Sequence, residues 1–163
     1  MFKKKNRAVP NSFSVCIVNG RAYVPTIRFC GDVGVMISDD PVFTTTLDAM
    51  ALKKAIEQAQ ALSTAGHAQF HVSEITKKES LLKASGIHTW REFHRQGWGY
   101  TVSSNIECVV IEATRYENGA WLFAQDLRKT LPIEVTLDEI VALILSDTQL
   151  RMTALPSHKA CVM

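Results

Sequence analysis

Phe13, Val15 and Ile17 alternate with Ser12, Ser14 and Cys16, the period of a strand with one buried face. Asn19-Gly20 follows, a pair that tolerates the positive φ angles of a type I′ turn. The chain is therefore predicted to fold back through Tyr23, Val24, Thr26, Ile27 and Phe29. Pro25 cannot donate to a ladder, which puts this second strand at a sheet edge or demands a bulge at the proline. Gly31-Asp32 turns the chain into a third strand over 33–37, and Asp39-Asp40-Pro41 into a fourth over 42–45. Beyond Thr46 the period changes: Leu47, Ala51, Leu52, Ala55, Ile56, Ala59 and Leu62 recur at three- and four-residue spacing, as in an amphipathic helix lying on a sheet.

The polar stretch 63–71 reads as a loop, and two short helical pieces follow it. One covers 77–84 and stops at Gly86; the other starts at Thr89, which forms a capping box with Glu92, and stops at Gly97. Trp90 and Phe93, three residues apart, should bury together. The strand period then resumes in Trp98, Tyr100 and Val102, and 106–111 is apolar on both faces, as suits a central strand. Asn118-Gly119 supplies a second hairpin turn, 121–124 the next strand, and 131–135 an edge leading into a helix over 137–145. Thr136-Leu137-Asp138 repeats the Thr46-Leu47-Asp48 opening of the first helix. In each, the Thr can accept from first-turn N–H groups, and the Asp sets negative charge at the positive end of the helix dipole. The expectation is an α+β protein, one domain over 1–163, made of two ββββα units at about 12–62 and 98–147. They would form antiparallel sheets with two packed helices, joined by a helical connector at about 74–96, with disordered tails at 1–11 and 152–163.

With 47% hydrophobic and 21% charged residues among 163, the composition is that of a globular protein, and no apolar run approaches the ~20 residues of a membrane span. The basic start, with Lys3, Lys4 and Lys5, runs into Pro10, Asn11 and Ser12 in place of a signal-peptide core, so a cytoplasmic protein is expected. Cys161 sits one place too close to the C-terminus for prenylation. Cys16, Cys30, Cys108 and Cys161 form no C-x-x-C pair, so free thiols are expected and no metal site or cofactor is predicted. His67 and His71 have helical spacing but fall in the loop, with no third ligand close by. An enzyme would have to rest on His88 or His94 near Glu92, a pairing too common on helices to carry weight; no catalytic residue is assigned.

The doubled four-strand-plus-helix order resembles the Whirly fold, a single-stranded nucleic-acid-binding architecture. The texture of Tyr23-Val24-Pro25-Thr26, of 81–93 (Leu81-Leu82-Lys83 through Trp90-Arg91-Glu92-Phe93) and of Leu131-Pro132 resembles immunity proteins of bacterial contact-dependent growth inhibition, most closely those paired with EndoU-type nuclease toxins. That resemblance, covering roughly 13–145, implies a cytoplasmic protein without chemistry of its own that binds the C-terminal nuclease toxin domain of a cognate CdiA and blocks its active site. A surface complementary to a basic nuclease directs attention to Asp32, Asp39 and Asp40 in the first half and Glu107, Glu112 and Glu117 in the second as partner-binding residues. The alternative is a single-strand nucleic-acid binder using Arg21, Arg28, Arg115, Trp98, Tyr100 and Trp121. A net charge of +2, and aromatics that share strand faces with Val and Ile, make it the weaker reading.

Overall fold

Asn19 at φ 51° and Gly20 at φ 74° adopt the left-handed conformations that a two-residue I′ hairpin needs. They join β1 (Phe13–Val18) to β2 (Arg21–Cys30), with Val18 opposite Arg21 and Cys16 opposite Tyr23. Asn118 at φ 51° and Gly119 at φ 88° do the same between β5 (Cys108–Glu117) and β6 (Ala120–Phe123). The computed structural model describes residues 12–30, 35–65 and 79–154. Its other elements are β3 (Val35–Thr45), α1 (Ala49–Ala65), α2 (Ser80–Ser85), α3 (Trp90–Arg95), β4 (Gly97–Ser104), β7 (Lys129–Pro132) and α4 (Leu137–Ala154). The seven strands form one antiparallel sheet in the order β3-β2-β1-β4-β5-β6, with β7 also paired to β5. No helix among the described residues is long and apolar enough to cross a membrane.

Among the described residues the first unit has three strands before its helix, not four. Asp39-Asp40-Pro41 does not turn the chain; it lies inside β3, where the register jumps from Pro25 opposite Val42 to Thr26 opposite Asp39. Asp40 and Pro41 are thus surplus residues in a bulge, and the cis Asp40–Pro41 bond lies within it. The bulge sets two residues that lack an N–H, Pro25 and Pro41, beside one break in the ladder, and the buried Thr26 hydroxyl donates to the Pro41 carbonyl at 2.7 Å. The bulge expected at Pro25 is therefore present, while the edge is β3.

The two long helices do not start alike. In α4 the Thr136 hydroxyl accepts from the Glu139 N–H at 3.3 Å and the Glu139 carboxylate accepts from the Thr136 N–H at 2.7 Å, a complete capping box. In α1 the cap is Asp48, whose carboxylate accepts from the N–H groups of Met50 and Ala51 at 3.3 and 3.1 Å, leaving Thr46 outside the helix. α4 also runs past the expected end at 145, and past 152 where a tail was expected, because no breaker occurs before Pro156. Residues 1–11 and 155–163 lie outside those described.

Helices cover both faces of the sheet. On one face Phe13, Val15, Ile17, Trp98, Tyr100, Val102, Ile111 and Ala113 pack against Leu52, Ile56 and Ala59 of α1 and Ile140, Val141 and Ile144 of α4. On the other, Cys16, Val18 and Tyr23 meet Leu81 and Leu82 of α2 and Phe93 of α3. Burial of each aliphatic side chain is worth roughly 1.5–3 kcal/mol, so the first face supplies the larger share of stability. Phe93 is fully buried against the edge of Trp90, at 5.5 Å between ring centroids, whereas Trp90 itself stays 40% exposed. Gly97 lets β4 approach β1, since a Cβ there would sit 1.9 Å from the Ile17 carbonyl oxygen.

One polar network is set into the larger core. The Tyr100 hydroxyl donates to Asp147 at 2.6 Å, accepts from the Trp98 indole N–H at 3.0 Å and lies 3.1 Å from the Thr148 hydroxyl. Arg151 closes the set: its Nε pairs with Asp147 at 3.0 Å, its Nη1 donates to the Thr114 carbonyl at 2.6 Å, and its guanidinium rests over the rings of Trp98 and Tyr100. Burial first, and the Asp147 carboxylate second, push the Tyr100 phenol well above its usual range.

Asp48→Ala and Thr136→Ala should each cost about 1 kcal/mol in urea unfolding, and Thr46→Ala little; a Thr46→Ala loss equal to that of Asp48→Ala would place the start of α1 at Thr46. Tyr100→Phe removes the hub of the network and should cost about 1–3 kcal/mol. Because the native phenol holds its proton more tightly than an unfolded one, its stabilisation is complete below about pH 10 and is lost as pH rises through the native value. The parent's unfolding free energy should accordingly fall more steeply than the variant's above pH 10, and parallel slopes would contradict this.

Candidate partner-binding surface

The acidic residues expected to form a binding rim are dispersed. Asp32 lies outside the described residues. Asp39 and Asp40 belong to edge strand β3, four strands from β5 and so about 19 Å away at ~4.8 Å per strand. Glu107 and Glu117 sit at opposite ends of β5, about 30 Å apart along the strand. Glu107 is not in the strand: the Asn105 side chain accepts from the N–H groups of Glu107 and Cys108 at 2.7 and 2.9 Å, a turn that delays β5 to Cys108 and leaves Ile106 87% exposed. Glu112, midway along β5, is half-buried and 3.7 Å from Arg128.

Most of the residues that would serve a nucleic-acid platform are engaged elsewhere. Trp98 and Tyr100 are buried. Trp121 lies half-buried against Phe93 and His94, its indole N–H donating to the His94 and Gly97 carbonyls at 2.8 and 3.1 Å. Arg115 pairs with Asp126 at 2.7 Å, holding that carboxyl below its usual range, and Arg21 is exposed at the first hairpin. A platform needs exposed aromatics interleaved with available cations, and these residues do not provide one. Nor do His94 and Glu92 pair: Glu92 is held by Arg95 and Gln96, which lowers its carboxyl, and burial against the aromatic rings lowers the His94 imidazole. His88 is exposed. His67 and His71 lie outside the described residues, among which no three His, Cys, Asp or Glu side chains group as a metal site would. The Cys16 thiol is buried and pushed up to about 12 by desolvation, so it behaves as a small apolar core group.

What the molecule does present is an apolar side where the sheet divides. The outer edge of β5 is shared: β7 pairs with Cys108 to Ile111, and β6 with Thr114 to Glu117. A 3₁₀ turn (Gln125–Leu127) carries the chain from one to the other. α3 covers β6 only at Trp121, so Leu122 and Phe123, which point to opposite faces of this four-residue strand, stand 50% and 58% exposed. Next to it, a tight turn closed by the Val135 N–H on the Pro132 carbonyl at 3.1 Å sends the chain from β7 into α4. Between β7 and the first turns of α4 lies a groove of about 660 Å³. Leu131, Val135 and Leu143, each packed on the larger core, line it together with Pro132 and Ala142, and Glu134 and Glu139 are its charged lining residues. Apolar side chains left exposed beside a groove are where a binding partner would be sought. The sequence reading missed this surface because it selected charge on turns; the signal in the chain was the unalternating run Trp121-Leu122-Phe123.

No protein-family model matches the chain, and no curated protein matches it. Solved structures do share its fold. A protein of unknown function from Neisseria meningitidis superposes with a TM-score of 0.65 at 18% identity, covering 88% of this chain and 97% of its own. One chain of a CdiA-CT/CdiI toxin and immunity complex from Yersinia pseudotuberculosis superposes with a TM-score of 0.62 at 15% identity, covering 85% of this chain and 95% of its own.

Proposed function

We propose that this chain is an immunity protein of contact-dependent growth inhibition, which binds the C-terminal toxin domain of a cognate CdiA and neutralises it. The observation that carries the reading is a fold shared, over nearly the full length of both chains, with one chain of a toxin and immunity complex. The exposed apolar side on β6 and β7 supports it, since a protein that acts by binding needs such a surface. In this reading the protein acts in the cytoplasm without catalysis or cofactor, and its target is a nuclease of EndoU type whose active site it blocks. The Whirly-like doubling belongs to the same proposal at the level of topology, with the β3 bulge standing where the fourth strand of the first unit would begin. Glu107 and Glu117, at the two ends of β5 next to the divided edge, would contribute acidic flanks facing a basic toxin.

The test is reconstitution. The purified chain should form a one-to-one complex with the toxin domain encoded beside it, with a Kd of a nanomolar or less, about −12 kcal/mol or better, and should abolish the toxin's activity. Asp40→Lys, on the far edge of the sheet, should bind like the parent. Failure of the parent to bind or inhibit would refute the assignment; submicromolar binding of single-stranded RNA with a steep salt dependence would favour the nucleic-acid reading in its place.

A further inference from the structure

We infer that the groove between β7 and α4 seats an apolar side chain of the toxin domain presented next to a lysine or arginine. This inference rests on the immunity reading and names the chemistry of the partner at one place on its surface. The floor, formed by Leu131, Val135 and Leu143, is fixed by packing on the core, so the cavity exists before a partner arrives and little ordering cost is incurred on filling it. Its volume of about 660 Å³ leaves an open groove with room for an anchor side chain and its immediate neighbours.

The charge around this floor has one sign. Glu134 and Glu139 both line the groove, and among the described residues no basic one lines it. Glu139 is held at the rim by the capping box, with its carboxylate fixed by the Thr136 N–H and hydroxyl. Glu134 is exposed, and among the described residues no cation pairs with it. An apolar seat with an acidic lip fits a segment in which a Leu, Ile, Met or aromatic residue adjoins a basic one, and it disfavours an acidic segment. A nuclease toxin, which must hold a polyanionic substrate, carries basic residues on the surface an inhibitor has to cover. Ile133, 42% exposed on the same turn, extends the apolar contact outward.

Two substitutions at exposed positions test this, with the inactivated toxin domain encoded beside the chain as the probe. Ala142→Trp fills the mouth of the groove and should weaken binding at least 100-fold, mainly through faster dissociation. Glu134→Lys reverses the lip and should slow association about tenfold while flattening its salt dependence. Urea midpoints should match the parent in both, which separates a blocked groove from a damaged fold. If the parent binds and both variants bind within twofold of it, the groove is not the seat although the immunity reading survives. If the parent does not bind the toxin, the immunity reading fails and this inference falls with it. If the parent sediments as a dimer that Ala142→Trp dissociates, the occupant is a second copy and the inference is overturned.

Discussion

The sharing of one strand edge between two partners shapes this molecule's exposed side. β5 is ten residues long, and neither β6 nor β7 exceeds four, so each pairs with one end of it. A single partner strand would have presented one continuous edge. The division instead forces the chain through a 3₁₀ turn and a tight turn within a dozen residues, leaves β6 projecting with Leu122 and Phe123 uncovered, and opens a groove where β7 meets α4. The apolar area is thus a consequence of topology, which is why it sits on a rigid base.

That base depends on how α4 is held. Its early residues Ile140, Val141 and Ile144 supply apolar contact, while the later turns are tied by Asp147, Thr148 and Arg151 to Tyr100 and the Thr114 carbonyl. A hydroxyl buried among apolar rings would be costly if unpaired; here it is satisfied on every side, and its geometry permits one position of the helix. The wall of the groove inherits that position, because Ala142 and Leu143 lie one turn before the network.

Much of the fold was legible from local chemistry. Asn19-Gly20 and Asn118-Gly119 can only be turns between strands of that period, Pro25 announced its bulge, and the spacing of Leu52, Ala55, Ile56 and Ala59 described the face of α1 that is buried. The failures have a common cause in competition between two local signals. At Asp39-Asp40-Pro41 the turn residues were outweighed by pairing with β2 on both sides, so the chain bulged instead of reversing. At Thr46 a nearby Asp48 was the better-placed cap, and at Ile106 the side chain of Asn105 captured the backbone that strand pairing would have used. The surface was least legible: charge is visible residue by residue, but whether Asp40 and Glu117 share a face depends on strand order, which brings distant segments together.

The central claim, that the divided edge is where this protein meets its partner, is most directly tested by hydrogen exchange of the chain free and in complex with the toxin domain proposed as that partner. Protection on binding should concentrate in 120–143, across β6, β7 and the first turns of α4, with β3 exchanging as in the free protein. Protection centred on β3 and the Asp39-Asp40-Pro41 bulge, with 120–143 unchanged, would contradict the account.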